Sequence, residues 1–274
     1  MIVVIGGGTM GAGIAASLLA AGQRVRLIDV ETALLTAARA RIESSLLRLA
    51  KRDPDLNVGD ALGRLTLATG HEHTECSLVV EAVPENLALK QAVLAELEPH
   101  CPDDAVIATN TSSLPPTEIA AALRRPERFV GMHFFNPVPV SLLVEVVVAE
   151  RTSEAAVEAA RGWAQLLGKT PIVVSDHPGF ATSRLGLALG LEAIRMVEDG
   201  VADVDDIDTA MRLGYKHPMG PLELTDLVGL DVRLAIAEHL EDRLGPRFSA
   251  PALLRDKVAR GELGRKSGQG FYSW

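Results

Sequence analysis

The chain has 274 residues, 47% of them hydrophobic, and a formal net charge of −9 at pH 7 from 27 basic and 36 acidic residues. This length favours two domains with a sizeable core. The acidic balance argues against a nucleic-acid-binding or membrane-surface protein, and no apolar run approaches the length of a membrane span. Because no basic and apolar leader precedes the first strand, we expect a cytoplasmic protein.

The chain begins with a strand, a glycine-rich turn and a helix. An apolar run over residues 2–5 leads into a G-x-G-x-x-G pattern formed by Gly6, Gly8 and Gly11, and a helical pattern follows over residues 14–21. Gly6 suits a tight turn, Gly8 lets the backbone approach a pyrophosphate, and Gly11 lets the helix pack close to the strand. This order predicts a dinucleotide site, with Thr9 and Met10 among its cofactor contacts.

A second strand, over residues 24–28, ends at Asp29, eighteen residues beyond Gly11. A carboxylate at this strand end can accept hydrogen bonds from ribose hydroxyls, and it repels a 2′-phosphate. The sequence therefore predicts NAD rather than NADP as the cofactor.

The two cysteines, Cys76 and Cys101, match no disulfide framework and no zinc or redox motif. His71, Glu72 and His73 could be combined with Cys76 into a metal site, but this segment has the character of a polar loop. We therefore predict no metal site.

Apolar and helical runs alternate along the next hundred residues, as crossover helices between parallel strands require. Strands are predicted at residues 78–83, 105–108, 128–134, 143–148 and 170–174, with helices at 87–98 and 154–167. This pattern predicts an α/β fold, a Rossmann-type doubly wound and mostly parallel sheet, in a domain over residues 1–177.

From residue 178 onward the pattern is helical only, which predicts an all-α domain over residues 178–274. Helices are predicted at residues 181–198, 205–212, 222–240 and 252–260. Asp203, Asp205, Asp206 and Asp208 are interpreted as favouring a helix start. Residues 222–230 are more apolar than an isolated exposed helix needs, so we expect this domain to form a homodimer contact.

A histidine and a glutamate flank a proline-bracketed turn between two apolar runs. His133 and Glu145 each lie six residues from Pro139, so antiparallel pairing would place their side chains across from each other. A carboxylate that fixes the tautomer of an imidazole prepares it for proton transfer. The alternative is a buried histidine with its hydrogen-bonding partner and no catalytic role.

Several motifs in order extend these observations along nearly the whole chain. They cover residues 6–13, 81–86, 109–114, 133–140, 178–180, 217–221 and 266–272. In these motifs the chain resembles the short-chain L-3-hydroxyacyl-CoA dehydrogenases. The resemblance implies NAD-dependent oxidation of a 3-hydroxyacyl-CoA to the 3-oxoacyl-CoA, with His133 as the acid/base, Glu145 as its partner and Ser112 beside the substrate and the nicotinamide.

The resemblance also implies that Glu85, Lys90, Asn136 and Lys266 contact the cofactor. For three of these residues the sequence also leaves a simpler interpretation open. Lys90 could be a solvated helix residue, Asn136 a turn former, and Lys266 a surface charge.

For the coenzyme A half of the substrate, the resemblance points to Ser45 and Arg52 on the helix after Asp29, although an exposed helix face would look similar. Ser183 stands where the family usually has an asparagine, and we include it among the candidate substrate contacts. This departure leaves the acyl chain open.

Two other functions remain as alternatives. One is a dehydrogenase of the same fold that acts on a free hydroxy acid or sugar acid, and the other is a non-catalytic nucleotide-binding protein. The presence of His133, Glu145 and Ser112 argues against the second.

Overall fold

The computed structural model describes residues 1–70 and 75–274. The segment with His71 and His73 lies outside these residues, and the described part holds no group of three or more His, Cys, Asp or Glu side chains that could bind a metal ion. It contains no helix with the length and apolar character of a membrane span. The chain divides into two compact units, Met1–His177 and Pro178–Trp274.

The first unit is built on a sheet that has eight strands among the described residues. These are β1 (Ile2–Ile5), β2 (Val25–Ile28), β3 (Leu65–Ala68), β4 (Leu78–Glu81), β5 (Val106–Thr109), β6 (Phe129–Phe134), β7 (Leu143–Val148) and β8 (Thr170–Ser175). Their order is β3-β2-β1-β4-β5-β6-β7-β8. Neighbours from β3 to β6 are parallel, β7 is antiparallel to β6, and β8 is parallel to β7. The predicted doubly wound sheet is confirmed.

Helices cover both faces of this sheet, as parallel strands require. They are α1 (Thr9–Ala20), α2 (Thr32–Ala50), α3 (Val58–Gly63), α4 (Leu87–Leu97), α5 (Pro116–Ala120) and α6 (Glu154–Leu166). In α2, Leu35, Ala38, Ile42 and Leu46 recur at helical spacing and are buried, whereas most of the remaining face is exposed. This exposed face is available for ligand binding.

From β1 the chain adds β2 and β3 on one side of the sheet, and β4 and the later strands on the other, so the strand order reverses between the neighbours β1 and β4. Ligands of open α/β sheets bind outside the carboxyl ends of the strands at such a point. The glycine turn follows β1, Glu85 follows β4, and Ser112 follows β5, so these residues lie at one edge of the sheet.

The described part of the second unit is helical, with two isolated bridges near its end. Its helices are α7 (Thr182–Glu198), α8 (Val204–Thr209), α9 (Pro221–Val228), α10 (Leu230–Leu244) and α11 (Ala252–Ala259), and a π-helical turn follows α8. The single helix predicted over residues 222–240 is wrong. Gly229 has φ +102°, a conformation that cannot continue an α-helix, and it separates α9 from α10.

Two aspartates, the exposed Asp203 and the buried Asp208, accept hydrogen bonds at helix starts in the second unit. Asp203 caps α8 by accepting a hydrogen bond from the Asp206 N–H, as expected. The interpretation of Asp208 as part of that helix start is wrong: it is fully buried and instead accepts hydrogen bonds from the N–H groups at the start of α9, those of Leu222 and Glu223. It thereby satisfies donors that a helix leaves free at its N-terminus.

Candidate active site

The glycine turn has the geometry of a cofactor cradle. Gly6 has φ +98°, and a Cβ atom at Gly11 would lie 1.8 Å from the Gly6 carbonyl oxygen. These two positions therefore require glycine for the turn and for close packing of α1. A Cβ at Gly8 would meet no described atom within 4 Å, so the open space for a ligand lies at Gly8.

A cavity of about 630 Å³ lies against this turn and contains the predicted contacts Gly6, Gly8, Thr9, Met10 and Asp29. The Asp29 carboxylate is held in place by two backbone N–H groups, with 2.7 Å from Oδ2 to the nitrogen of Gly7 and 2.7 Å from Oδ1 to that of Val30. Each carboxylate oxygen retains a lone pair for a ribose hydroxyl. The cavity and its oriented carboxylate fit the adenosine part of NAD.

His133 and Glu145 lie directly opposite each other on β6 and β7. His133 Nδ1 is 2.7 Å from Glu145 Oε2, Glu145 is fully buried, and the imidazole lies 4.5 Å from the Phe135 ring between centroids. The predicted cross-strand register is confirmed. When Nδ1 carries the proton that faces the carboxylate, Nε2 is the proton acceptor of the neutral ring.

Glu85 organises the loop that carries Ser112. Its Oε1 accepts hydrogen bonds from the Thr111 hydroxyl at 2.6 Å, from the Ser112 N–H at 3.0 Å and from both the N–H and the hydroxyl of Ser113 at 3.0 Å. Burial alone would raise the pKa of Glu85, but the Thr111 hydrogen bond, the Lys90 charge and the two serine amides together hold that pKa below its usual value. A carboxylate is therefore the stable form of Glu85 at neutral pH.

Lys90 lies behind Glu85 and is fully buried, so the interpretation of Lys90 as a solvated helix residue is wrong. Its Nζ lies 2.8 Å from Glu81 Oε1, 3.3 Å from the Val83 carbonyl oxygen and 3.4 Å from Glu85 Oε2. The fully buried Glu81 also accepts a 2.6 Å hydrogen bond from the Thr109 hydroxyl. The Lys90 ammonium is thus surrounded by protein oxygens.

The structure brings Asn136 beside the residues predicted to bind coenzyme A. A cavity of about 540 Å³ is lined by Ser45 and Arg48 from the end of α2, by Lys51 and Arg52 directly after it, and by Asn136. Thr9 of the cofactor turn lines an adjoining cavity with Ser45 and Asn136. Sequence reasoning missed Arg48, although its position three residues after Ser45 places both on one helical face.

The turn between β6 and β7 is held by another residue that the sequence analysis missed. The buried Lys169 donates from Nζ to the carbonyl oxygens of Val138 and Ser141, at 2.6 Å each. Burial lowers the pKa of Lys169. No sequence motif indicates this contact, because Lys169 reaches the turn from a segment about thirty residues later.

Ser183 and Lys266 belong to the second unit. Ser183 lies half-buried in the first turn of α7. Lys266 Nζ lies 2.5 Å from Asp231 Oδ1 and 2.6 Å from Oδ2, in the space left by the missing side chain of Gly229. The ammonium remains about half exposed in this pair.

In a comparison with known proteins, both parts of the chain match domain models of the same enzyme family. Residues 1–177 match the model of the 3-hydroxyacyl-CoA dehydrogenase NAD-binding domain, and residues 179–274 match that of the 3-hydroxyacyl-CoA dehydrogenase C-terminal domain. The cofactor of this chain is therefore NAD.

Curated relatives and a solved structure agree with these matches. A probable 3-hydroxybutyryl-CoA dehydrogenase of Bacillus subtilis is 43% identical, over 100% of this chain and 96% of the relative. A 3-hydroxybutyryl-CoA dehydrogenase of Mycobacterium tuberculosis is 45% identical, over 99% and 97%. The crystal structure of (S)-3-hydroxybutyryl-CoA dehydrogenase from Ralstonia eutropha is similar with a TM-score of 0.93 and 38% identity, over 100% of this chain and 98% of that one. The chain belongs to the 3-hydroxyacyl-CoA dehydrogenase family.

Proposed function

We propose that this protein catalyses the NAD-dependent oxidation of a 3-hydroxyacyl-CoA to the 3-oxoacyl-CoA, and the reverse reduction. The observation that carries the proposal is the buried His133–Glu145 pair on adjacent strands, in the same unit as the glycine cradle with its oriented Asp29. The family membership supports the substrate class.

In the oxidation, Nε2 of His133 accepts the proton of the substrate 3-hydroxyl while the hydride leaves C3. Bound NAD supplies the hydride acceptor. Glu145 holds the ring through Nδ1 and stabilises the imidazolium that forms. In the reduction, His133 returns the proton to the 3-oxo oxygen as C3 receives the hydride.

Ser112 and Glu85 act together in this proposal. The Ser112 hydroxyl donates a hydrogen bond to the substrate oxygen or to the nicotinamide end of the cofactor, and the Glu85 carboxylate holds its loop through the amides of Ser112 and Ser113. Lys90 keeps Glu85 charged and in place. Asn136 and Lys266 complete the proposed cofactor contacts.

For the coenzyme A part, we assign the phosphates to the cavity of Ser45, Arg48, Lys51 and Arg52. Three cationic side chains around a hydroxyl suit a phosphate in an otherwise acidic protein. Ser183 of the second unit is assigned to the acyl side of the substrate, in place of the family asparagine.

The proposal is tested by the loss of NADH absorbance when acetoacetyl-CoA is added to the purified protein. NADPH and free acetoacetate serve as parallel controls. Loss with NADH and the CoA ester alone supports the proposal, whereas turnover of the free acid indicates a hydroxy-acid dehydrogenase of the same fold. A His133→Ala variant should bind NADH and lose turnover; unchanged turnover would remove His133 from the mechanism.

We also propose that the protein forms a homodimer through its helical unit. Leu185 and Leu189, four residues apart on α7, are 67% and 44% exposed, which is a large apolar surface for one helix.

A cytoplasmic location is proposed as well: both cysteines are free thiols, which fits a reducing compartment. Cell fractionation followed by immunoblotting tests the location.

A further inference from the structure

Three cavities of the first unit follow one another along α2 and share lining residues. The cofactor cavity at the glycine turn is lined by Thr9 and Arg41, and both residues also line a neighbouring cavity of about 490 Å³. This middle cavity shares Ser45, Arg48 and Asn136 with the cavity to which we assign the coenzyme A phosphates. Arg41 therefore lies between the cofactor site and the proposed site of the CoA phosphates.

The guanidinium of Arg41 reaches the glycine turn from the exposed face of α2. Its Nη1 donates a hydrogen bond of 3.4 Å to the carbonyl oxygen of Gly7, the residue whose N–H group donates to Asp29. Arg41 forms no ion pair with any described residue. Its charge is therefore available to a ligand that binds at the turn.

The cations of α2 continue from the glycine turn into the next two cavities. Arg41, Ser45 and Arg48 recur at intervals of four and three residues, so they lie on one face of the helix. Arg48 is seven residues beyond Arg41, which is about 10 Å along the helix axis. None of the described residues that line the middle cavity or the CoA cavity is acidic, although the chain as a whole has a net charge of −9. Both cavities therefore attract anions.

The proposed reaction brings two polyanions to this row of cations at the same time. NADH carries a pyrophosphate, and coenzyme A carries a pyrophosphate and a further phosphate. Phosphates about 10 Å apart repel each other at low ionic strength, because the Debye length is itself about 10 Å at 0.1 M salt. A cation between the two ligands offsets this repulsion.

We propose that Arg41 couples the two binding sites: its charge lies between the phosphates of the cofactor and those of coenzyme A, so that the two ligands bind together without weakening each other. The proposal rests on the function proposed above. A guanidinium suits this position because it stays charged and can direct its N–H groups to more than one phosphate. Since a coupling free energy is reciprocal, it can be measured from either ligand.

The experiment measures the dissociation constant of NADH by fluorescence titration, without CoA and with saturating free CoA, a pair of ligands that allows no turnover. At about 0.05 M salt we expect the two constants of the wild type to agree within about twofold. In Arg41→Met, CoA should weaken NADH binding about 5- to 10-fold. This antagonism should disappear at about 0.5 M salt, because screening shortens the Debye length to less than half of its value at 0.1 M.

Two further variants separate the charge of Arg41 from its shape and from the net charge of the protein. Arg41→Lys keeps the charge and should retain most of the wild-type behaviour. Arg39→Met removes the same charge two residues earlier, at an exposed position that lines none of the three cavities, and should match the wild type. Because positions 39 and 41 are both exposed, we expect all three variants to fold, and thermal unfolding checks this.

Equal coupling between NADH and CoA in the wild type and in Arg41→Met would overturn the inference. An antagonism that persists at high salt would assign the effect to shape, and one that appears equally in Arg39→Met would assign it to net charge; both results overturn it. Failure of CoA to bind to the wild type overturns it as well. The expected titrations together with no turnover of acetoacetyl-CoA would refute the proposed function and leave the coupling in place.

Discussion

At the level of single residues, the acid/base pair depends on which imidazole nitrogen faces the carboxylate. Nδ1 of His133 lies 2.7 Å from Glu145, so in the proposed mechanism Nε2 is the nitrogen that exchanges the proton with the substrate. The carboxylate and the strand pairing together restrict both the ring orientation and its tautomer. The geometry therefore predicts that a side chain with the shape of glutamate but without its charge cannot replace Glu145 in the proposed proton transfer.

A Glu145→Gln variant preserves the shape but can turn its NH₂ group towards Nδ1, which would place the ring proton on Nε2. We expect kcat to fall about 100-fold or more, with NADH affinity retained. Steady-state kinetics and an NADH fluorescence titration measure the two effects. A kcat near that of the wild type would show that Glu145 does not support the histidine.

Glu85 makes a pH-dependent contribution to stability. Its pKa in the folded protein is lowered, so it stabilises the fold above its unfolded pKa of about 4.3, and this contribution is lost as the pH falls through the folded value. Below about pH 5 the wild type should therefore lose unfolding free energy more steeply than Glu85→Gln. Urea unfolding from pH 3 to 7 measures this, with the exposed Glu96→Gln as control; parallel curves for wild type and Glu85→Gln would contradict it.

At the level of elements, the glycine turn combines two different requirements. Gly8 is extended, with φ −64° and ψ −170°, a conformation that alanine adopts easily, and its missing Cβ leaves space for a ligand. Gly11 is instead required by the protein itself, because its Cβ would overlap the Gly6 carbonyl. The two positions can be separated by experiment.

Gly8→Ala should fold with wild-type stability and bind NADH at least about tenfold more weakly, because its methyl group occupies the space of the pyrophosphate. Gly11→Ala should lose about 1–3 kcal/mol of unfolding free energy or fail to fold, because helix α1 must move. Thermal unfolding and NADH titration measure both. Wild-type NADH affinity in Gly8→Ala would show that the cofactor does not approach this loop.

The C-terminal tail is fastened to α9 by one carboxylate. Asp226 is 1% exposed and accepts hydrogen bonds from the N–H groups of Phe271 and Tyr272 at 2.8 Å and from Trp274 Nε1 at 2.9 Å. Tyr272 also donates its hydroxyl to Asp208, and burial together with this contact raises the pKa of Tyr272. These bonds hold the segment that carries Lys266.

Asp226→Asn keeps one acceptor oxygen and loses the charge, so we expect a loss of about 2–4 kcal/mol of unfolding free energy. Amide hydrogen exchange should accelerate over residues 264–274. Asp256→Asn, an exposed aspartate on α11, is the control. Unchanged exchange in the tail of the Asp226 variant would contradict its role as the anchor.

For the whole molecule, the prediction concerns assembly. A dimer would have twice the 29.1 kDa mass of the chain. The double variant Leu185→Glu/Leu189→Glu should be monomeric by light scattering, because charge replaces the apolar surface of α7. Leu166→Glu, a 45% exposed leucine of the first unit, should remain dimeric. A monomeric wild type would contradict the proposed assembly.

The sequence by itself determined what depends on local order along the chain. The glycine turn after β1, Asp29 at the end of β2 and the symmetric placement of His133 and Glu145 about Pro139 all follow from strand periodicity and turn chemistry. The same rules led to the boundary between residues 177 and 178, where the strand pattern ends. They did not reveal the break at Gly229, because the φ angle of an isolated glycine within a helical pattern cannot be predicted from the sequence.

Only the tertiary structure decided which buried charges meet. Residues that are separated along the chain meet in three places: the Glu81–Lys90–Glu85 cluster, the contact of Lys169 with the turn between β6 and β7, and the tail held by Asp226. Their energies depend on burial and on distances of about 3 Å, and both arise only when the strands and helices pack. For that reason the sequence left a solvated position open as the alternative for Lys90, whereas the structure buries this residue completely against Glu81 and Glu85.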